Sequence, residues 1–281
     1  MRTLILLLAT CTSLLAAAPR PNVIIIFIDD MGFGDVEFNG GTKAKTPHLN
    51  QMAKEGRRFH DFYVGCAVCS GSRTALMTGC HYQRLSMKAV LFPNSAEGLH
   101  PEEVTLADML KDAGYKTACV GKWHLGHLPP CLPTYQGFES YYGIPYSNDM
   151  WPFHPVSPKA WGDLPTLEGD EVVGLNTDQN RFTGDFTARA VSFIERHADE
   201  PFFLYVPFAI PHLSIQVPEE SLAQYKGTIP EADYVHRGYL KHPFPRAGYA
   251  AMVSHMDRDI GKITALVKKL GLDEKTLIMF S

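Results

Sequence analysis

A few side chains in this sequence have types and spacings that point to chemistry. Asp29 and Asp30 close the apolar run NVIIIFID and are followed at once by Gly32 and Gly34. Adjacent carboxylates suit a hard divalent cation, because Ca²⁺ or Mg²⁺ takes oxygen ligands and offsets the repulsion between the acids. The same pair would also serve to cap a turn. Cys66-Ala67-Val68-Cys69 has the C-x-x-C spacing used in redox and zinc sites. No second pair lies at zinc spacing, however, and no βαβ redox context surrounds it. Cys69 also opens the stretch CSGSRTALMTG, which sets a thiol four residues before Arg73. Lys122 and His124 follow the apolar run KTACV within GKWHLG, and His212 follows PFFLYVPFA. His127, three residues after His124, imitates a metal pair by spacing but is expected to be structural, and Trp123 is expected to fill core.

The elements that must position these groups can be read from periodicity. Apolar runs alternate with amphipathic helical patterns, the signature of a layered α/β fold. NVIIIFID is apolar on consecutive positions, as in a strand covered on both faces. TPHLNQMAKEG predicts a helix with Thr46 as N-cap, Pro47 at its first position, Leu49, Met52 and Ala53 on one face and Gly56 at its end. Thr105 is predicted to cap a second helix that carries Leu106, Met109 and Leu110 and stops at Gly114. A helix over about 186–197 leads into the strand PFFLYVPFA. A long helix bearing Tyr249, Met252, Val253, Met256, Ile260, Ile263 and Val267 leads to the strand TLIMFS. Ligands of open α/β sheets bind beyond the carboxyl ends of the strands, so Asp29, Asp30, Lys122, His124 and His212 should converge. Residues 129–180, rich in Pro, Gly, Tyr and Trp with little periodicity, read as long loops over the site, where specificity is usually set.

At 281 residues, with 45% hydrophobic and 20% charged side chains, the chain can form one large domain or two small ones. A net charge of -4 and a pI near 6.3 supply no basic face for nucleic acid. The opening residues MRTLILLLATCTSLLAAAPR combine Arg2, an apolar run and Ala16-Ala17-Ala18, the pattern of a signal peptide over residues 1–18. That run falls short of the ~20 residues of a membrane span, so no transmembrane segment is expected in the mature chain, and a secreted, periplasmic or lysosomal-type compartment is. Lipoprotein anchoring at Cys11 is not expected, because the apolar run before it is short. Five cysteines would remain: Cys66, Cys69, Cys80, Cys119 and Cys131. In an oxidising compartment an odd count leaves at least one unpaired or chemically altered, and a disulfide from Cys66 to another cysteine stays open.

CSGSRTALMTG resembles the signature of the formylglycine-dependent sulfatases, Cys-x-Pro-Ser-Arg, three variable residues, Leu or Met, then Thr-Gly. The departure is Gly71, where proline is usual. The resemblance extends over nearly the whole chain after the leader, through PNVIIIFIDDMGFGD, GYKTACVGKWHLG and PFFLYVPFAIPH. YGIPYSND is similar to a loop of the arylsulfatase A and N-acetylgalactosamine-6-sulfatase branch. The resemblance implies an alkaline-phosphatase-like layered sheet with helices on both faces, and a sulfatase catalytic domain over residues 19–281. It implies that a maturation enzyme converts Cys69 to formylglycine, whose hydrated aldehyde is the nucleophile. Asp29, Asp30 and the modified Cys69 would then bind calcium, with Mg²⁺ as the alternative ion. Arg73 would hold the formylglycine, and Lys122 would contact the sulfate oxygens. His124 would act as base for regeneration, His212 would assist the leaving group, and Ser147 would support the site by hydrogen bonding.

The implied reaction is hydrolysis of a sulfate monoester, on a sulfated carbohydrate rather than a small aryl ester. Tyr141, Tyr142, Tyr146 and Trp151 offer rings to stack on a sugar. In the resembled family an Asp-Asn pair follows the strand equivalent to TLIMFS and completes the metal site, and a smaller domain follows. The expectation from the sequence as written is therefore a catalytic domain incomplete at its C-terminus, with weak calcium binding and little activity. Two other readings are a phosphoester or phosphonate hydrolase of the same superfamily and a non-catalytic, sulfated-glycan-binding or degenerate protein.

Overall fold

The computed structural model describes residues 20–232 and 238–281, so the predicted leader and Cys11 lie outside the described residues. A seven-stranded sheet runs through the centre in the order β5-β4-β3-β2-β6-β1-β7. Its strands are β1 (Asn22–Phe27), β2 (Lys116–Lys122), β3 (Ser140–Ile144), β4 (Pro165–Glu168), β5 (Glu171–Leu175), β6 (Phe202–Pro207) and β7 (Thr276–Phe280). The pairings among β3, β2, β6, β1 and β7 are parallel, while β4 and β5 add an antiparallel edge.

Alternate residues of β1 belong to separate cores, as expected for a strand covered on both faces. Ile24 and Ile26 join a cluster with Leu49, Phe186 and Met252, whereas Ile25 and Phe27 join Met77, Ala107 and Trp123. The first face is therefore covered by α1 (Pro47–Glu55), α4 (Phe182–Arg196) and α6 (Pro245–Lys269), the second by α2 (Cys69–Thr78) and α3 (Leu106–Asp112); a short α5 (Glu219–Leu222) leans on α6. The fold is the expected α/β sheet with helices on both faces.

Local signals account for much of this. Thr105 caps α3, its hydroxyl accepting from Asp108 N at 3.1 Å while the Asp108 carboxylate accepts from Thr105 N at 2.9 Å, a capping box. Trp123 is fully buried, as expected of core. Two expectations need correction. Thr46 precedes α1 but makes no cap with its side chain; its hydroxyl accepts from Glu37 N. The free N–H groups of His48 and Leu49 donate instead to the Asp257 carboxylate on α6, at 3.2 and 2.8 Å. A partner 208 residues away has displaced the local cap, and no sequence window contains both. Second, residues 129–180 are not loops throughout, since they hold β3, β4 and β5. These strands are only four or five residues long, too short for alternation to register.

Candidate active site

The carboxyl ends of the parallel strands deliver the predicted groups to one place. Beyond β1 stand Asp29, buried, and Asp30, half-exposed and held at a backbone φ of 62°. Lys122 ends β2 and is fully buried, with His124 two residues on; His212 follows β6, and Ser147 follows β3. The sequence did not announce that CSGSRTALMT is a helix, α2, whose first residue is Cys69. That settles why thiol and guanidinium stand four residues apart, because positions i and i+4 share one helix face.

The contacts are dense. Lys122 Nζ is paired with Asp29 Oδ2 and also reaches Ser147 Oγ at 3.0 Å and Cys69 Sγ at 3.4 Å. Cys69 Sγ lies 3.3 Å from Asp29 Oδ1. Arg73 donates to the Lys122 carbonyl at 2.6 Å, approaches Asp29 Oδ1 at 3.6 Å and lies over the Phe27 ring. Tyr205, which sequence reasoning did not single out, has its hydroxyl 3.5 Å from Arg73 Nη1. A tyrosine in the otherwise apolar run FFLYVP was the available signal. His212 turns Nε2 toward Asp30 Oδ2 at 3.5 Å and is met edge-on by the Tyr239 ring, also not foreseen. Asn148, beside Ser147, is pinned by Gln179 through bonds of 3.0 and 2.7 Å.

The electrostatics are lopsided. Arg73 is 1% exposed, Lys122 0% and Asp29 4%, so two buried cations face one buried carboxylate. Burial alone would raise the Asp29 carboxyl, but Lys122, Arg73 and His212 together hold it well below the usual range. Burial, reinforced by Asp29 and opposed by Lys122, pushes the Cys69 thiol up, which disfavours the thiolate. Burial and the neighbouring Lys122 push His124 well down, leaving it neutral. Its Nε2 stands 2.9 Å from the Leu91 carbonyl, which assigns the proton there, and Nδ1 has no partner. Arg73 Nε and Nη2 are likewise buried without a hydrogen bond. Unfilled buried donors are rare enough to require an explanation, and here they belong to a cationic surplus beside the N-terminus of α2, the positive end of the helix dipole.

Asp29, Cys69 and His212 each offer a ligand atom within 4.8 Å of the others. Carboxylate, thiol and imidazole form a mixed set with a soft member. An oxygen at position 69 in place of sulfur, with Asp30 alongside, turns the set toward a hard cation such as calcium. With an oxygen donor at position 69 the set would suit a hard cation such as calcium, and with the thiol it would not.

Some expected features are absent. Cys66, Cys69, Cys80, Cys119 and Cys131 are all free, so no disulfide from Cys66 forms among the described residues. The rings proposed for sugar stacking are committed elsewhere: Tyr141, Tyr146 and Trp151 are buried in the two cores, and Tyr142 is covered by the Arg189 guanidinium at 4.4 Å. His127 packs edge-on against Tyr146 and is not in the ligand group.

The family model "Sulfatase" matches residues 21–281. This chain belongs to the sulfatase family. It is 36% identical to human (Homo sapiens) arylsulfatase A, covering 98% of this chain and 54% of that protein. With arylsulfatase G of Rattus norvegicus it shares 35% identity over 94% of this chain and 51% of the relative. With N-acetylgalactosamine-6-sulfatase of Mus musculus it shares 33% over 99% and 53%. Among solved structures, that of Ps i-CgsB in complex with k-i-k-neocarrahexaose superposes with a TM-score of 0.77 at 30% identity, over 93% of this chain and 58% of that one. A phosphonate monoester hydrolase of Agrobacterium radiobacter shares the fold at a TM-score of 0.63 and 20% identity. The chain spans about half the length of the curated relatives it matches. No helix among the described residues is long and apolar enough to cross a membrane.

Proposed function

We propose that the protein carrying this chain hydrolyses sulfate monoesters on a sulfated carbohydrate, in a secreted, periplasmic or lysosomal-type compartment, after a maturation enzyme has oxidised Cys69 to formylglycine. The observation that carries the proposal is the surplus of buried positive charge, Arg73 and Lys122 against Asp29, with unfilled guanidinium donors beside Cys69. Such a pocket stabilises charge that accumulates on the oxygens of a transferring sulfuryl group.

Asp29, Asp30 and the oxidised residue 69 would hold calcium, which with the hydrated aldehyde would supply Lewis acidity and a nucleophilic oxygen to the site. This chain's own residues do the rest. Lys122, fixed by Asp29 and Ser147, and Arg73, fixed by the Lys122 carbonyl, present positive charge to the ester's oxygens without having to move. His212, with Nε2 turned toward the Asp30 side of the site, is the group that serves the departing alcohol. His124, neutral with a free Nδ1, accepts a proton when sulfate leaves. The carbohydrate assignment draws support from a relative named N-acetylgalactosamine-6-sulfatase and from the k-i-k-neocarrahexaose in the complex of a structural neighbour.

The test is to compare sulfate and phosphate esters of one sugar with the intact protein and its Cys69→Ala variant. Sulfate turnover that vanishes in the variant is expected. Preference for the phosphate ester would favour the phosphohydrolase reading, and glycan binding without turnover in either protein would favour the non-catalytic one.

A further inference from the structure

Asp30 is a non-glycine residue in the left-handed region, φ 62°, and its half-exposed carboxylate is approached by His212 Nε2 at 3.5 Å. Left-handed backbone costs energy for a residue with a side chain, even one that tolerates it as aspartate does. Something must therefore hold the turn. The hydroxyl of Tyr249, in the first turns of α6, donates to Asp35 Oδ2 at 2.6 Å and lies 3.4 Å from the Asp30 carbonyl. Asp35 Oδ2 also accepts from Gly32 N at 2.7 Å. One carboxylate oxygen thus ties the start of the loop to α6. A Cβ at Gly32 would lie 2.8 Å from Asp35 Oδ2, so a larger residue there would push the carboxylate aside. The far side of the loop is fastened by Glu37, whose carboxylate accepts from Thr46 N at 2.8 Å and Asn50 Nδ2 at 2.9 Å. The loop is held at both ends, and the end nearest the two aspartates depends on one phenol.

We propose that Tyr249 is a positioning residue for the divalent cation: through Asp35 it holds the turn that carries Asp29 and Asp30, two of the side chains that would bind the ion. It touches neither the ion nor the substrate. The proposal rests on the calcium reading above and goes beyond it by assigning the preorganisation of the site to α6, an element that supplies no ligand. Preorganised ligands bind a cation more tightly because the ordering cost is already met on folding.

Calcium titration by calorimetry of the intact protein, with melting temperature recorded in chelator, tests this. Tyr249→Phe removes only the hydroxyl, and about tenfold weaker calcium binding is expected, the worth of one hydrogen bond to a charged group. The melting temperature in chelator should stay nearly unchanged. Asp35→Ala removes the same bond from the other end and should weaken calcium similarly. Asp35→Asn keeps an acceptor and should bind within about threefold of the parent, below the worth of a charged hydrogen bond. Absence of calcium binding in the parent would overturn the metal reading itself. Unchanged affinity in Tyr249→Phe and Asp35→Ala, with a parent that binds, would overturn only the role of Tyr249. Weaker binding accompanied by an equal collapse of the chelator-treated melting temperature would assign the hydroxyl to general stability and likewise overturn it.

Discussion

Two buried ionic clusters in this molecule differ in one instructive respect. At the strand ends, Asp29 faces Lys122 and Arg73, and all three are shielded from water. On α6, Asp259 is fully buried too, but its cations Lys262, at 2.5 Å, and Arg258, at 3.8 Å, are 53% and 42% exposed. The second arrangement is what a structural ion pair requires, with the long cations snorkelling to solvent while the carboxylate accepts from Thr187 inside. The first keeps two cations out of water with a single buried counter-charge, a costly arrangement with no evident structural return. Burying more positive charge than is neutralised makes sense when an anion is to be received. That difference in exposure is what supports reading the first cluster as the proposed site and the second as a structural pair.

The comparison can be broken most severely at Lys122. Lys122→Met should leave Asp29 neutralised by Arg73 alone, so denaturant unfolding should show less than the roughly 3–5 kcal/mol lost when a buried charge is left without any partner. Sulfate turnover of the intact protein should fall by about 10²–10³-fold, as when one preorganised donor is lost. Turnover within twofold of the parent, or a stability loss of the full roughly 3–5 kcal/mol, would contradict the reading of a buried surplus cation.

A smaller effect concerns the signature helix. Gly71 stands where the family signature has proline, so Gly71→Pro restores the usual motif. Here it should nevertheless destabilise, by about 1–3 kcal/mol, because it abolishes the 3.0 Å bond from Gly71 N to the Ala89 carbonyl and forces a Cβ to within 2.7 Å of Cys66 Sγ. Thermal melts of Gly71→Pro alone and with Cys66→Ala should show partial relief in the pair. A stabilised single variant would contradict the packing account.

At the structural cluster the changes should be modest. Lys262→Met should alter stability by about 1 kcal/mol, the usual scale for a partly solvated pair, and leave turnover untouched. A loss of turnover there would erase the contrast between the clusters. The smallest effect is in pH dependence. His255 accepts from Ser221 at 2.9 Å and faces Arg258 at 2.6 Å, with Asp259, Lys262 and Glu220 nearby. Burial first, then Arg258 and Lys262, lower its pKa against the pull of Asp259. A histidine held below its unfolded value resists a proton that the unfolded chain accepts, so stability should decline as pH falls below about 6.5. In chelator, His255→Gln should flatten the melting curve between pH 7 and pH 5, near the unperturbed histidine range, and an unchanged slope would show that other groups govern it.

How much of this was legible in the sequence depended on whether a cause was local. The run NVIIIF and the Thr105–Asp108 box carry their own instructions, and the rule that ligands meet at strand ends brought Asp29, Lys122, His124 and His212 together in advance. Asp257 as the cap of α1, Tyr205 beside Arg73, and Tyr249 bracing Asp35 are contacts across 130 residues or more, set by helix and strand packing that no window reveals. The tyrosines of residues 141–146 misled for the opposite reason. Aromatic richness does not say whether a ring faces a ligand or a core, and strands of four or five residues gave no alternation to decide it.

The most direct test of the central claim is the mass of the tryptic peptide carrying residue 69, isolated from protein produced in a host with sulfatase-maturation activity. The account predicts an aldehyde in place of the thiol, confirmed by capture with a hydrazide reagent. Quantitative recovery of unmodified cysteine from protein that hydrolyses sulfate esters would contradict it, because the nucleophile would then have to be something other than an oxidised Cys69.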